Sequence, residues 1–174
     1  ETKPEIVIMP AAYSNVNGCE EEPEKSYKVN VLGPRNVAGE CKQSKAKLVF
    51  FSSSYVFDGK NGPYSEDDKP NPLSVYGRHK LEVEKMITDV LPNALIIRLI
   101  SVYGYDLNSK NFAMGIMQDL GKQIKREVPD DQYGNPTYVE NLVDGVSRLL
   151  EKGKSGIYNI AGKDYCNRYE FAIR

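Results

Sequence analysis

Residues 47–59 read Lys-Leu-Val-Phe-Phe-Ser-Ser-Ser-Tyr-Val-Phe-Asp-Gly, and this stretch predicts the fold most directly. Its first part is a short apolar run, which is typical of a strand buried on both faces in a parallel sheet. Three hydroxyl side chains follow where the run ends, and Asp58-Gly59 then indicates a turn. The stretch therefore predicts a buried strand with polar groups at its C-terminal end.

Strand and helix patterns alternate on both sides of this stretch. Apolar runs predict further strands at residues 4–9, 94–100 and 157–160, the first of them also buried on both faces. Helical spacing predicts helices at residues 23–42, 74–88, 111–120 and 139–152, and Asn167 with Glu170 predicts the capped start of a last helix. Gly33-Pro34 should kink or interrupt the first helix, and residues 60–72 and 103–110 have loop compositions.

This alternation predicts an α/β fold with a mostly parallel sheet. In such sheets ligands bind beyond the C-terminal ends of the strands. Residues 9–12, 52–54 and 100–103 follow three predicted strands, so we expect them to line one crevice.

The composition is that of a folded domain with little net charge. The chain has 174 residues, 40% of them hydrophobic, and a formal net charge of −1. This balance gives no long-range attraction for nucleic acid or an anionic membrane, so we expect neither partner. No apolar run reaches the ~20 residues that span a bilayer, and residues 1–5 lack signal-peptide features, so we expect a cytoplasmic location. Cys19, Cys41 and Cys166 lack C-x-x-C spacing and predict reduced thiols, with neither a disulfide framework nor a metal site.

Residues 76–80, Tyr-Gly-Arg-His-Lys, fall on a predicted helix. The i, i+4 spacing places the Tyr76 phenol and the Lys80 ammonium on one helical face, where the cation can stabilise a phenolate and lower a tyrosine pKa of about 10. A hydroxyl from residues 52–54 can then hydrogen-bond a substrate carbonyl while the tyrosine supplies a proton. The alternative is a half-buried Tyr/Lys surface with serines that only cap the strand end, since 12 tyrosines predict about one chance Y-x-x-x-K match. His79 is interpreted as a solvated helix residue.

Several segments resemble one known family. Residues 49–59, Pro63-Tyr-Ser-Glu-Asp67 and residues 76–80 are similar to the extended short-chain dehydrogenase/reductases, particularly the dTDP-4-dehydrorhamnose reductases. Further similar segments are Ala11-Ala12-Tyr13, Cys19 to Pro23 with Asn30, Arg98 with Val102-Tyr103-Gly104, Asn111-Phe112 and residues 131–137. The resemblance extends over essentially the entire chain.

The resemblance implies part of a Rossmann-like, doubly wound sheet. Residues 1–110 would be the C-terminal portion of the dinucleotide-binding domain. Residues 111–174 would be a small substrate-binding region, from which one strand and one helix return to the Rossmann core. The sequence contains no glycine-rich loop of the kind that holds a dinucleotide pyrophosphate. We therefore expect that loop upstream of Glu1, and weak dinucleotide binding by the 174 residues alone.

The resemblance also implies a catalytic set and its neighbours. Tyr76 would be the general acid, Lys80 would bind the nicotinamide ribose and lower the tyrosine pKa, and Ser53 would complete the triad. Ser54 stands where these reductases commonly have aspartate, a departure that would affect carbonyl polarisation or substrate preference. The other assignments are Ala11, Ala12, Asn30, Ser52 and Ile100 on the cofactor side, and Ser54, Tyr55, Asn111, Gln132 and Thr137 on the nucleotide-sugar side.

The implied activity is reduction of the C4 ketone of a deoxyhexose nucleotide, with NADPH or NADH as the hydride donor. Two alternatives stay open. One is an epimerase or dehydratase acting on a related nucleotide sugar, and the other is a non-catalytic regulatory protein similar to the β subunit of methionine adenosyltransferase. The expected small-molecule partner is a nucleotide sugar, and a homodimer is compatible with this interpretation.

Overall fold

The computed structural model describes residues 2–106 and 111–174, so the end of the loop expected at 103–110 lies outside the described residues. The chain forms two compact units. The first runs from the N-terminus to Arg98 and is completed by Gly153–Asn159, and the second comprises Leu99–Lys152 and Ile160–Arg174. The division into domains at residue 110 stays a prediction.

The secondary structure follows the alternation expected from the sequence. The strands are β1 (Ile6–Met9), β2 (Lys47–Ser53), β3 (Leu95–Leu99), β4 (Val102–Tyr103), β5 (Tyr133–Gly134), β6 (Thr137–Tyr138), β7 (Gly156–Ile160) and β8 (Cys166–Asn167). The α-helices are α1 (Val16–Glu21), α2 (Pro23–Tyr27), α3 (Gly33–Ser44), α4 (Val75–Val90), α5 (Phe112–Gly121), α6 (Val139–Glu151) and α7 (Arg168–Ile173). A π-helical segment, Lys28–Leu32, joins α2 to α3, and a 3₁₀ turn, Ser54–Val56, follows β2.

The first unit is built on a four-stranded sheet with the order β1-β2-β3-β7. β1 pairs in parallel with β2, with Ile6 opposite Lys47 and Met9 opposite Phe50. The last strand, β7, joins this sheet after the intervening helices. The predicted α/β class is confirmed.

A hydrophobic core fixes α4 on the sheet. Leu48 and Phe50 of β2 meet Val83 and Ile87 of α4 in one buried cluster, and each is at most 1% exposed. β2 is buried on both faces, as predicted, because helix and sheet neighbours cover it. The core therefore holds α4 directly against the strand that ends in the serine cluster.

β1 departs from the prediction of burial on both faces. Val7 and Met9 pack against the core, whereas Ile6 is 43% exposed and Ile8 is 55% exposed. β1 is the edge strand of its sheet, and its second face has no cover within the described part of the chain. The prediction is therefore correct for β2 and wrong for β1.

The helix expected to break at Gly33-Pro34 continues with an altered hydrogen-bond pattern. Pro34 has no N–H and cannot donate to the Asn30 carbonyl four residues earlier. The backbone widens into the π segment Lys28–Leu32, and the Gly33 N–H donates to the Lys28 carbonyl, five residues back. The predicted interruption is thus a π turn, which buries Asn30 within the first unit.

The described residues of the second unit form two short strand pairs and three helices. β4 pairs in parallel with β6, and β5 pairs antiparallel with β8. α6 buries Leu142 and Val146 on one stripe, as its apolar spacing predicted. The predicted capping pair is confirmed, since Asn167 Oδ1 accepts from the Glu170 N–H at 2.7 Å and the Asn167 N–H donates to Glu170 Oε2 at 3.0 Å.

Two general expectations can be compared with the structure. Within residues 2–106 and 111–174, no helix has the length and apolarity needed to cross a membrane. Cys19, Cys41 and Cys166 are free and buried, in agreement with the prediction of reduced thiols.

Gly77 allows the first turn of α4 to approach the segment that follows β2. A Cβ atom at this position would lie 2.2 Å from the Tyr55 carbonyl oxygen and 3.0 Å from Pro72 Cβ. Ser74 caps the same turn by accepting from the Gly77 N–H at 3.1 Å. The missing side chain therefore sets how closely Tyr76 can lie to the end of β2.

We expect Gly77→Ala to lower the free energy of unfolding by about 1–3 kcal/mol, because the new methyl group forces the Tyr55 backbone to move. Gly39→Ala is the matched control in α3, where a Cβ meets nothing within 4 Å. The control should be neutral or stabilising by up to ~1 kcal/mol, the helix preference of alanine over glycine. Urea unfolding of the two variants checks this, and equal effects would show that the contact at Gly77 is unimportant.

Candidate active site

Tyr76 lies at the start of α4 and is 9% exposed. The Tyr55 ring packs edge-on against it, with the ring centroids 5.9 Å apart. Burial raises the pKa of the Tyr76 phenol to about 12, and a hydrogen bond with the Ser53 side chain acts in the opposite direction. The phenol is therefore protonated at neutral pH and in contact with the serine chosen from the sequence.

Ser53 ends β2 and has two roles in the structure. Its Oγ accepts from the Tyr55 N–H at 3.3 Å and caps the 3₁₀ turn. The same side chain interacts with the Tyr76 phenol. Backbone capping and contact with the tyrosine, treated as alternatives at the sequence level, thus occur together.

Lys80 is buried one helical turn after Tyr76 and is 3% exposed. Its Nζ donates to the Phe51 carbonyl oxygen at 2.8 Å. Nζ also lies 4.7 Å from the Phe50 ring centroid and 5.6 Å from the Tyr76 ring centroid. Burial lowers the pKa of Lys80 to about 8, and the negative charge of Glu84 opposes that change.

The expected lowering of the tyrosine pKa by Lys80 is not found in this arrangement. The pKa of Tyr76 is raised, because the phenolate loses hydration when the side chain is buried and that loss is the largest cause. Ser53 is the group whose hydrogen bond favours the phenolate. The i, i+4 spacing predicted the shared face correctly but did not predict the desolvation.

On the cofactor side, Ala11 is exposed and Ala12 is half-buried in the segment after β1. Asn30 holds the next residue, since its Oδ1 accepts from the Tyr13 N–H at 2.8 Å and its Nδ2 donates to the Tyr13 carbonyl at 3.0 Å. Cys19 Sγ also donates to the Tyr13 carbonyl, at 3.4 Å. The Asn30 amide thus fixes the backbone beside the alanines, and its role on the cofactor side stays a prediction.

Ser52 is directed into the interior, where it meets two charged side chains. Its Oγ donates to Glu84 Oε1. Arg98 binds the same carboxylate through two hydrogen bonds, Nε to Oε1 at 3.0 Å and Nη2 to Oε2 at 2.7 Å. Glu84 is not among the residues predicted from the sequence, although its position four residues after Lys80 places it on the face that bears Tyr76.

In the second unit, Thr137 is 1% exposed and its hydroxyl is engaged internally. Oγ1 lies 2.8 Å from the Ile100 carbonyl, to which it donates, and accepts from the Gly162 N–H at 3.1 Å. Ile100 itself is half-buried, and its Cδ1 lies 3.2 Å from the position of a Cβ on Gly134. The assigned contacts of Thr137 with a substrate and of Ile100 with a cofactor stay predictions.

Two further residues assigned to the nucleotide-sugar side also belong to the second unit. Asn111 caps α5 by accepting from the Met114 N–H at 3.0 Å, and its Nδ2 donates to the Gly104 carbonyl at 2.9 Å. Gln132 is exposed, and its carbonyl accepts from the Arg168 N–H at 3.1 Å. In the first unit, Ser54 is half-buried and Tyr55 is 47% exposed. Their substrate contacts also stay predictions.

His79 is buried, which corrects the expectation of a solvated residue. It is 7% exposed and packs edge-on against Tyr27, with ring centroids 5.4 Å apart. Burial lowers the pKa of the imidazole. The reason is geometric: this flank of α4 faces α2 and the π segment, a neighbourhood that the sequence pattern of α4 alone does not reveal.

The structure combines a parallel α/β sheet, Ser53 at the end of one strand, and Tyr76 and Lys80 buried beside that strand end on a helix. This combination defines a class of protein, the extended short-chain dehydrogenase/reductases. Within that class the chain belongs to the family described as RmlD substrate binding domain, whose model matches residues 1–174.

Individual relatives agree with this assignment. The chain is 35% identical to the spore coat polysaccharide biosynthesis protein SpsK of Bacillus subtilis (strain 168), over 98% of this chain and 59% of that protein. It is 33% identical to dTDP-4-dehydrorhamnose reductase of Mycolicibacterium smegmatis, over 97% of this chain and 52% of that protein. The crystal structure of dTDP-4-dehydrorhamnose reductase from Bacillus anthracis str. Ames in complex with NADP matches with a TM-score of 0.92 and 34% identity, over 98% of this chain and 60% of that one.

A relative with a different kind of name is similarly close. Methionine adenosyltransferase 2 subunit beta from Bos taurus is 30% identical over 98% of this chain and 53% of that protein. The chain thus spans between half and three-fifths of the length of these relatives.

The buried Lys80 predicts a pH dependence of stability. Its folded pKa, about 8, lies below the unfolded value of about 10.4. Between these pH values the unfolded chain binds a proton that the folded chain has released, so the contribution of Lys80 to the free energy of unfolding rises with pH. The cost of burying the charge is therefore fully present below pH 8 and is relieved as the pH approaches 10.

The prediction is checked by measuring the free energy of unfolding in urea at pH 7 and at pH 9.5 and taking the difference for each variant. The rise due to Lys80 should be lost in Lys80→Met and retained in Lys85→Met, which removes an exposed lysine from the same helix. Identical pH profiles for wild type and Lys80→Met would contradict the prediction.

Proposed function

We propose that the natural protein containing this chain reduces the C4 ketone of a deoxyhexose nucleotide with NADPH or NADH, and that Tyr76 is the general acid. The observation that carries the proposal is the buried Tyr76 phenol in contact with Ser53 and beside the Lys80 ammonium. Relatives named dTDP-4-dehydrorhamnose reductase, at 33–34% identity, support the nucleotide-sugar substrate class. A cytoplasmic location suits such a reaction.

The residues around Lys80 suit a nicotinamide cofactor. An ammonium group has three N–H donors, and within the described chain one of them is directed to the Phe51 carbonyl. The remaining donors suit the neighbouring hydroxyls of a ribose. The small side chains of Ala11 and Ala12 leave space next to a backbone that Asn30 fixes at Tyr13. When bound, the cofactor supplies a hydride.

The protein side chains then control one proton. Tyr76, whose pKa is about 12, keeps its proton at neutral pH until a stronger base forms next to it. The alkoxide produced at C4 is such a base, so transfer from the phenol is favourable. Ser53 donates a hydrogen bond to the ketone oxygen and polarises it. The Lys80 ammonium, 5.6 Å from the tyrosine ring centroid, is assigned to the cofactor ribose, because no lowering of the tyrosine pKa by Lys80 is found.

A regulatory role is the second candidate, favoured by the 30% identity to methionine adenosyltransferase 2 subunit beta. Such a role needs the fold but not proton transfer from Tyr76. Solved epimerases at 20% identity support only the shared fold. Incubation of the natural protein with dTDP-4-dehydrorhamnose and NADPH or NADH separates the candidates, since cofactor binding without reduction would favour the regulatory role.

Tyr76→Phe should lower turnover by about 10²–10⁴-fold, the usual contribution of a general acid, while cofactor affinity stays nearly unchanged. The ring packing is retained and only the proton donor is lost. Tyr27→Phe is the matched control, because it removes one exposed hydrogen bond, from Tyr27 Oη to Glu82 Oε1. Steady-state kinetics and cofactor titration measure both quantities, and a Tyr76→Phe enzyme within threefold of wild type would exclude the proposed role.

A further inference from the structure

A buried ionic cluster lies behind the candidate active site and consists of Ser52, Glu84 and Arg98. The side chains of Glu84 and Arg98 are 2% and 4% exposed, and Ser52 is 3% exposed. Glu84 Oε1 accepts from Ser52 Oγ and from Arg98 Nε, and Oε2 accepts from Arg98 Nη2 at 2.7 Å. Both carboxylate oxygens are therefore engaged in fixed directions.

The cluster connects the elements that carry the candidate catalytic groups. Glu84 follows Lys80 by one turn of α4, and Ser52 directly precedes Ser53 on β2. Arg98 comes from β3, donates from Nη1 to the Glu66 carbonyl at 3.3 Å and places Cζ 5.0 Å from the Phe57 ring centroid. One carboxylate thus links α4 to β2 directly and, through Arg98, to the segment after β2.

Stability alone gives little reason to bury such a pair. Removing two charges from water costs several kcal/mol per ion, and apolar replacements of similar size are often as stable or more stable. Apolar side chains would provide neither the fixed hydrogen-bond geometry of the Glu84–Arg98 pair nor the negative charge of Glu84. Lys80 is the candidate catalytic group that experiences that charge.

We infer that Glu84 is a positioning residue for Lys80: its carboxylate, oriented by Arg98 and Ser52, holds the lysine in the ammonium form and in register with the end of β2. For turnover, this inference rests on the proposed function. For the charge state of Lys80, it rests on the position of Glu84 one turn after Lys80 on α4 and on the buried cluster that orients its carboxylate.

Within the described chain, the charges that act on Lys80 come from Cys19 of α1 and Glu84 of α4. The Tyr76 ring of α4 also lies near it, with its centroid 5.6 Å from Nζ. β2 contributes the Phe51 carbonyl and the face of the Phe50 ring. Glu84 is the carboxylate that raises the pKa of Lys80 against the effect of burial, which lowers it to about 8. Loss of this negative charge should therefore let the ammonium lose its proton at a lower pH.

The test is an NMR titration of Lys80 in the natural protein, labelled with ¹³C at the lysine ε carbon and assigned with Lys80→Arg. In Glu84→Gln, which keeps the shape of the side chain, the midpoint for Lys80 should fall by about one pH unit. The alkaline limit of turnover should move down by the same amount. Glu82→Gln is the control, because it removes a half-exposed carboxylate from the same helix. Its Lys80 midpoint should match wild type.

Glu84→Gln leaves Arg98 buried with a neutral partner and can fail to fold. The double variant Glu84→Gln/Arg98→Met removes both charges, and loss of the Arg98 cation acts on Lys80 in the opposite direction to loss of the carboxylate. Its Lys80 midpoint is therefore compared with that of Arg98→Met, below which it should lie by about one pH unit. A folded Glu84→Gln protein with an unchanged midpoint, or a double variant whose midpoint matches that of Arg98→Met, would overturn the inference, whatever its turnover. A lowered midpoint in a protein without reductase activity would support the inference and reject the proposed function, so the two failures are distinguishable.

Discussion

The burial of the Lys80 ammonium is the constraint on which the arrangement of the first unit depends. A charged group that is 3% exposed has lost most of its hydration, and the protein must replace it. The Phe51 carbonyl, two aromatic faces and the negative charge of Glu84 provide the replacement. Because these groups come from both β2 and α4, the helix cannot shift along the strand without leaving the charge uncompensated. The position of Tyr76 follows from the same constraint.

The polar side chains expected to bind ligands differ in how much of their bonding capacity the protein already uses. The Asn30 amide both donates to and accepts from the Tyr13 backbone, and the Thr137 hydroxyl holds backbone groups of its own unit. Ser53 combines a backbone cap with contact to Tyr76. Groups used internally contribute to binding by shaping the nearby backbone, whereas Lys80 retains donor capacity for direct contact.

Local patterns predicted the elements well, because the apolar spacing of a strand or helix depends only on its own residues. The shared face of Tyr76 and Lys80 follows from the same geometry. What failed depends on neighbours. Ile8 is exposed because nothing in the described part of the chain covers the second face of β1, and His79 is buried because its flank of α4 meets α2. The direction of the Tyr76 pKa shift depends on whether desolvation or the nearby charges have the larger effect. That balance can be judged only once the packing around the phenol is known.

The π turn at Lys28–Leu32 has a consequence for how chain length can vary at this point. Successive residues of an α-helix are rotated by about 100° around the helix axis. A turn with one extra residue therefore changes the direction of the side chains before it relative to those after it. Deletion of one residue here would remove the extra residue and leave α3 undisturbed on the core, with Pro34 still unable to donate a helical hydrogen bond. It would also rotate the preceding residues onto different faces and remove Asn30 from the Tyr13 backbone. A deletion of one residue at this point would therefore alter the backbone beside Ala11 and Ala12 while leaving the hydrophobic core intact.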